Sequence, residues 1–269
     1  AATSQLLVTG ILDPITAGAA DNFTVTAADQ FGNTTPTYVG TVTFSSTDGA
    51  ATLPADTTFV LGDAGVRTFS VTLRTAGVRS VTATDTVMGA ITGTQANIDV
   101  VAAAAQTLQV TGIADPITAG VNDNFTVTAR DAFNNVATGY TGTVAFTSTD
   151  PQAQLPANTT FVAGDMGTRT FSLQLRTVGV QSVTATDTVT ATITGTQANI
   201  DVNPAGAATL SVTGITDPVT AGTASGVTVT ARDQFNNVAT GYTGTITFSS
   251  TDGAATLPAN YAFVAGDMG

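Results

Sequence analysis

The sequence predicts an all-β protein built from tandem two-sheet sandwiches, one for each repeat of 102 residues. Three observations carry this reading. First, Val8-Thr9-Gly10 recurs as Val110-Thr111-Gly112 and Val212-Thr213-Gly214, and Leu53-Pro54-Ala55 as Leu155-Pro156-Ala157 and Leu257-Pro258-Ala259, with no insertion or deletion between copies. A period this long is a whole domain, because solenoid units repeat every ~20–50 residues. Second, apolar and polar residues alternate along each copy, which places one face of a strand on a core and the other in water. Third, turn-forming residues interrupt the alternation at short intervals, and no stretch carries a helical period.

Taken in order along the first copy, the strands are expected near Gln5–Gly10, Asn22–Ala28, Thr41–Ser46, Thr57–Val60, Arg67–Leu73, Val78–Thr84 and Thr92–Val101. Phe23 and Val25 alternate with Thr24 and Thr26; Phe69 and Val71 alternate with Ser70 and Thr72; Val81 and Ala83 alternate with Thr82 and Thr84. Phe23, Val25, Phe44, Phe69, Val71, Val81 and Ile98 are therefore the expected core. Turn signals lie between the runs at Asp13-Pro14, Gly32-Asn33, Asp48-Gly49, Gly62-Asp63-Ala64-Gly65, Ala76-Gly77 and Met88-Gly89. About seven short strands in roughly 100 residues is the arithmetic of an immunoglobulin-like sandwich.

The segments Asp-Gln-Phe-Gly-Asn (29–33), Tyr-Val-Gly-Thr-Val-Thr-Phe (38–44), Gly-Asp-Ala-Gly (62–65) and Ala-Gly-Val-Arg-Ser-Val-Thr-Ala-Thr-Asp (76–85) resemble bacterial Ig-like tandem repeats. Such repeats occur in invasin- and adhesin-type surface proteins and are related to filamin-like Ig domains. The resemblance covers the whole chain. It implies the fold and an extracellular or cell-surface location, and it says little about a ligand.

The repeats divide the chain into 1–102, 103–204 and 205–269, the last of which stops before the equivalents of the final three strands. Either the chain is a window on a longer array, or another chain supplies the missing strands. The opening Ala1-Ala2-Thr3 reads as a mature or trimmed start. The linkers at 101–106 and 203–208 are short, so a semi-rigid stack of domains is expected in place of a flexible string.

Composition narrows the function. The chain has no Cys, Trp, His, Lys or Glu; its acids are 19 Asp and its bases 7 Arg, for a net charge of −12. A polyanion needs cationic partners, so nucleic-acid binding is excluded, and an anionic membrane surface is disfavoured for the same reason. No apolar run is long enough to insert in a membrane. The missing His and Cys remove thiol chemistry and Ser-His-Asp arrangements, and the missing Lys removes Schiff-base chemistry and Lys–Asn isopeptide cross-links. Thr fills the surface in their place, with 22 in the first 102 residues.

Two kinds of candidate site remain. Strand directions bring Asp13 and Asp48 toward the end of the first repeat that faces the second, where Asp131, Asp165 and Asp187 are expected. Such a cluster of hard oxygens would suit Ca²⁺ shared between domains. The alternative reading is that Asp is a turn former, capping its own loop. Asn22, Asn33, Asn124 and Asn158 satisfy the N-glycosylation pattern, a match that arises often by chance in a Thr-rich chain. Tyr38, Tyr140 and Tyr242 precede the third strand and are candidates for surface or inter-repeat contact.

The expected function is the structural shaft of an extracellular or cell-surface fibre or filament, self-associating into a fibre or surface layer, with no catalysis and no cofactor beyond calcium. The alternatives are the stalk of a cell-surface adhesin, with a cell-surface or glycan partner bound outside these residues, or the spacer of a secreted polysaccharide-degrading enzyme.

Overall fold

The structure, a computed structural model, describes residues 1–269. In the first repeat the strands are β1 (Gln5–Thr9), β2 (Ile15–Thr16), β3 (Ala20–Ala28), β4 (Thr41–Ser46), β5 (Thr57–Thr58), β6 (Val66–Thr72), β7 (Gly77–Asp85) and β8 (Thr92–Val101). They form two sheets, a three-stranded one in the order β1-β3-β6 and a five-stranded one in the order β2-β8-β7-β4-β5. This is a tandem Ig-like sandwich, as the alternation predicts.

Two details differ from the sequence reading. The chain crosses between sheets after β1: Ile15–Thr16 pairs in parallel with β8 through Ile15–Val100 and Thr16–Val101. Two residues are too few to show alternation, so this strand is invisible in the sequence. The strand expected over Thr57–Val60 shrinks to β5, because Val60 leads into a 3₁₀ turn over Leu61–Asp63. It pairs with β4, through Thr41–Thr58 and Val42–Thr57, placing it in the five-stranded sheet.

The core lies between the sheets. Phe23, Val25, Val71, Val81 and Ile98 are essentially sealed from water, and Phe69 is buried beside them. Phe44, expected in the core, is partly buried at its margin. Phe23, Phe44 and Phe69 form one aromatic cluster, with ring centroids 4.7–5.7 Å apart. Full burial of each large apolar side chain contributes about 1.5–3 kcal/mol. One flank is closed by backbone: a Cβ on Gly93 of β8 would stand 1.8 Å from the Leu6 carbonyl oxygen of β1, so only glycine fits there. Gln95 ties the same flank by accepting from Ile11 N–H at 3.0 Å and donating to its carbonyl at 2.7 Å.

Tyr38 is a correction. It is buried, not at the surface, and its hydroxyl donates to Asp85 Oδ2 at 2.5 Å. Its ring packs against Phe59, centroids 5.2 Å apart. Gly40 makes room for this, since a Cβ there would meet both the Tyr38 hydroxyl and the Asp85 carboxylate. Tyr140 is likewise buried.

The second repeat carries the same strands: β9 (Thr107–Thr111), β10 (Ile117–Thr118), β11 (Asp123–Arg130), β12 (Thr143–Ser148), β13 (Thr159–Thr160), β14 (Thr168–Leu173), β15 (Gly179–Asp187) and β16 (Thr194–Asn203). Their sheets run β14-β11-β9 and β10-β16-β15-β12-β13. The third repeat has β17 (Thr209–Thr213) paired with β18 (Thr228–Arg232) and β19 (Thr245–Ile246) paired with β20 (Tyr261–Ala262). With no counterparts of β6–β8 there, Leu210 and Val212 are 45% and 54% exposed, whereas their equivalents Leu6 and Val8 are 2% and 5% exposed.

Two compact units result. One comprises Ala1–Thr107 with Thr128–Thr141 and Val162–Thr168; the other comprises Leu108–Val127, Gly142–Phe161 and Arg169–Gly269. The main contacts at each passage from one repeat to the next therefore lie inside a single unit.

Candidate functional site: the repeat junctions

The segment Asp-x-Phe-x-Asn follows the second long strand of every repeat, at 29–33, 131–135 and 233–237. The Asp organises it. In the first unit, Asp131 Oδ1 accepts from the N–H groups of Phe133 and Asn135, each at 2.9 Å. Asn134 takes up a left-handed conformation, φ +67°. Short polar side chains adopt this region more readily than most residues. Asp131 Oδ2 accepts from the Asn135 side chain at 2.8 Å and from Ala103 N–H, in the linker, at 3.0 Å. The loop thus fixes both its own shape and the chain that leads into it.

Two side chains reach back to the first repeat. The Asn135 carboxamide donates to the Arg74 carbonyl at 2.8 Å and accepts from Ala76 N–H at 2.9 Å. One side chain satisfies a backbone acceptor and donor together, as a neighbouring strand would. Phe133 lies over Gly18, where a Cβ would come within 2.3 Å of its ring, and the Arg74 guanidinium stands 5.9 Å from the ring centroid. Gly18 has φ +82°. Glycine is needed there twice, for its backbone conformation and to clear space for the ring.

The receiving loop is anchored from its own side. Asp48 accepts from Arg74 N–H at 2.6 Å, Thr75 N–H at 2.9 Å and the Thr75 hydroxyl at 2.6 Å. A chain of polar contacts therefore runs from Asp48 through loop 74–76 to Asn135 and Asp131. Burial pushes the Asp48 carboxyl up, but the hydrogen bonds from Thr75, Arg74 and Ala50 outweigh it and hold it below its ordinary value. At Asp131 burial is likewise outweighed, by Asn135, Ala103 and Phe133.

The second unit builds the same junction. Asn237 donates to the Arg176 carbonyl at 2.7 Å and accepts from Val178 N–H at 3.1 Å. Phe235 lies over Gly120, and Arg176 stands 5.4 Å from its centroid. Asp233 accepts from Ala205 N–H at 3.1 Å. On the other side Asp150 holds Arg176 N–H and Thr177 N–H.

Of the five Asp residues expected to gather, Asp48 and Asp131 do stand at opposite sides of one junction, joined through the loop between them. Asp13 accepts from Asp99 N–H at 3.0 Å. Asp165 accepts from Val162 N–H at 2.8 Å within its own 3₁₀ turn. Asp187 accepts from Val189 and Thr190 N–H, each at 2.8 Å. No three acidic side chains form a group that could hold a metal ion. Asn22, Asn124 and Asn158 are exposed; Asn33 is exposed too, with its amide turned onto Asp29.

Sequence reasoning missed Phe133, Gly18 and Arg74. It assigned phenylalanines to the core and gave Gly18 no role. The signal available was that Thr-Ala-Gly and Asp-x-Phe-x-Asn keep a fixed offset in every copy.

No known protein family's profile matches the sequence, and no curated protein matches it. Among solved structures, the chain is similar to FdeC, an Escherichia coli adhesin, at 19% identity over 93% of this chain and 80% of that one, with a TM-score of 0.46. It is similar to the adhesin InvE of Yersinia pseudotuberculosis at 21% identity, covering 74% of this chain and 58% of that one, with a TM-score of 0.33. It is also similar to a β-glycosidase from Bacteroides vulgatus at 11% identity, over 75% of this chain and 25% of that one, with a TM-score of 0.35.

Proposed function

We propose that the chain is a shaft segment of a cell-surface or extracellular protein: it spaces and carries other parts and performs no chemistry of its own. The observation that carries this reading is the junction, built twice from the same residues at the same offsets. Domains on a loose tether have no use for a buried Asp, a two-way carboxamide and a glycine-cleared aromatic at each joint. The buried carboxylates support the same reading, because they are engaged by backbone N–H groups of their own loops and by Asn, Thr or Tyr side chains.

The same reading has copies associate side by side. Outward-facing hydroxyls pair across strands, Thr82 with Thr94 and Thr84 with Thr92, and repeat on the next domain as Thr184 with Thr196 and Thr186 with Thr194. A weakly charged hydroxyl face repeated on each domain adds many feeble contacts through effective concentration.

Immunogold labelling of intact, unpermeabilised cells tests the location: label at or beyond the surface is expected, and label only after permeabilisation overturns it. Sedimentation of the protein at rising concentration tests association; a monomer at the highest attainable concentration refutes that part and leaves the single stalk.

A further inference from the structure

We infer that the Asp29–Asn33 loop of the first repeat is a docking face for the far end of another repeat of this kind. Its partner is a domain end that presents a glycine of left-handed conformation, an arginine, and a backbone carbonyl and N–H two residues apart. The inference rests on the reading that the junctions hold the shaft together, and names a surface at which a further one forms.

The loop has the shape of the two that are docked. Asp29 Oδ1 accepts from Phe31 N–H at 2.9 Å and Asn33 N–H at 3.0 Å, matching Asp131 and Asp233. Gly32, φ +82°, replaces Asn134, φ +67°, in the same left-handed region. What differs is occupancy. Phe31 is 76% exposed where Phe133 is 38% exposed. The Asn33 amide, lacking the carbonyl that Asn135 reaches, folds back onto both Asp29 oxygens at 3.2 Å each. A large aromatic held out by a buried Asp, beside a carboxamide with no external partner, is the docked geometry without its receptor. The receptors at Gly18 with Arg74 and at Gly120 with Arg176 are already filled by Phe133 and Phe235. The open glycine of the third repeat, Gly222, has no counterpart of Arg74 among these residues, so the occupant is a further repeat whose receptor is both complete and free.

The test joins one more copy of residues 1–102 ahead of the full chain, in the same register, to supply a free receptor. In the 269-residue chain Phe31→Ala should leave the melting temperature unchanged. In the extended chain it should lower it by as much as Phe133→Ala does. If Phe31→Ala is silent in the extended chain while Phe133→Ala still acts, this inference is overturned and the junction reading stands; if both are silent, the junction reading falls. Should the extended chain not fold, the 269-residue chain is mixed with its Phe133→Ala/Asn135→Ala variant, which lacks the two side chains that fill the first receptor. The side-chain amide resonances of Asn33 should then shift, and unshifted resonances at millimolar concentration overturn the inference.

Discussion

Replacing Gly18 by alanine separates the two reasons for glycine at the junction. The first is conformational: at φ +82° an L-residue costs about 1–2 kcal/mol. The second is steric: the new methyl would sit 2.3 Å from the Phe133 ring and must displace it. Displacement forfeits the ring's contact with Arg74, about 0.5–1 kcal/mol for a partly exposed cation–π pair, together with part of its apolar burial. Gly18→Ala should therefore cost about 2–3 kcal/mol in total, and about 1–2 kcal/mol when Phe133 is already alanine. The coupling between the two sites should be about 1 kcal/mol. Gly222 supplies an internal control. It has φ +79° and nothing within 4 Å of the position a Cβ would take, so Gly222→Ala should cost the conformational part alone. Urea denaturation with hydrogen exchange resolved by repeat measures these differences without assuming one transition for the whole chain. Equal costs for Gly18→Ala with and without the Phe133 ring would refute the steric argument, and with it the role of that ring as a joint.

Further outcomes follow from the hydrogen-bonding of the acids and Tyr38. Folding lowers the carboxyl values of Asp48, Asp131, Asp150 and Asp233, so they stabilise the fold fully above the unfolded value near 4 and lose that contribution as pH falls through the folded values. Melting temperature should be flat from neutrality to about pH 5 and drop below about pH 4; a decline already under way at pH 6 would contradict this. Burial first, and then the Asp85 carboxylate, raise the Tyr38 phenol, so stability is present below the unfolded value near 10 and is lost as pH climbs past it. Tyr38→Phe should cost about 2 kcal/mol, since it removes a hydrogen bond to a charged group, and should weaken the alkaline fall in hydrogen-exchange protection of the first repeat. Chelator and added Ca²⁺ should give superimposable melting curves, because the acids hold backbone groups and do not gather in threes; a calcium-dependent rise would restore the shared-ion reading.

The sandwich was legible because its signal is redundant. Phe23, Val25, Val71, Val81 and Ile98 each recur within an alternating run, so an error at one position leaves the face assignment intact. The two-residue strand at Ile15–Thr16 carries no alternation at all. The partner of Thr57–Thr58 depends on long-range pairing, which local pattern does not encode. Tyr38 misled because its hydroxyl marks it as amphipathic, while the group that satisfies it, Asp85, lies 47 residues away. At the junction, the sequence showed that acids would stand near the joint but not what they would hold. Calcium and backbone N–H groups ask for the same oxygens, and local pattern does not encode the positions of Arg74, Thr75 and Asn135, whose groups Asp48 and Asp131 hold.

The Asn135 carboxamide grips the main chain of its neighbour at Arg74 and Ala76, and in the next joint Asn237 grips Arg176 and Val178 in the same manner. Alanine stands in one joint and valine in the other, and each gives the amide the same backbone N–H. The grip therefore tolerates a change of side chain at this position. Recombination between the stretches that encode the copies can delete or duplicate a whole copy, and the new joint forms from parts already present. Copy number can then vary among descendants of one gene with no compensating substitution, and reach becomes a trait that selection adjusts in steps of 102 residues.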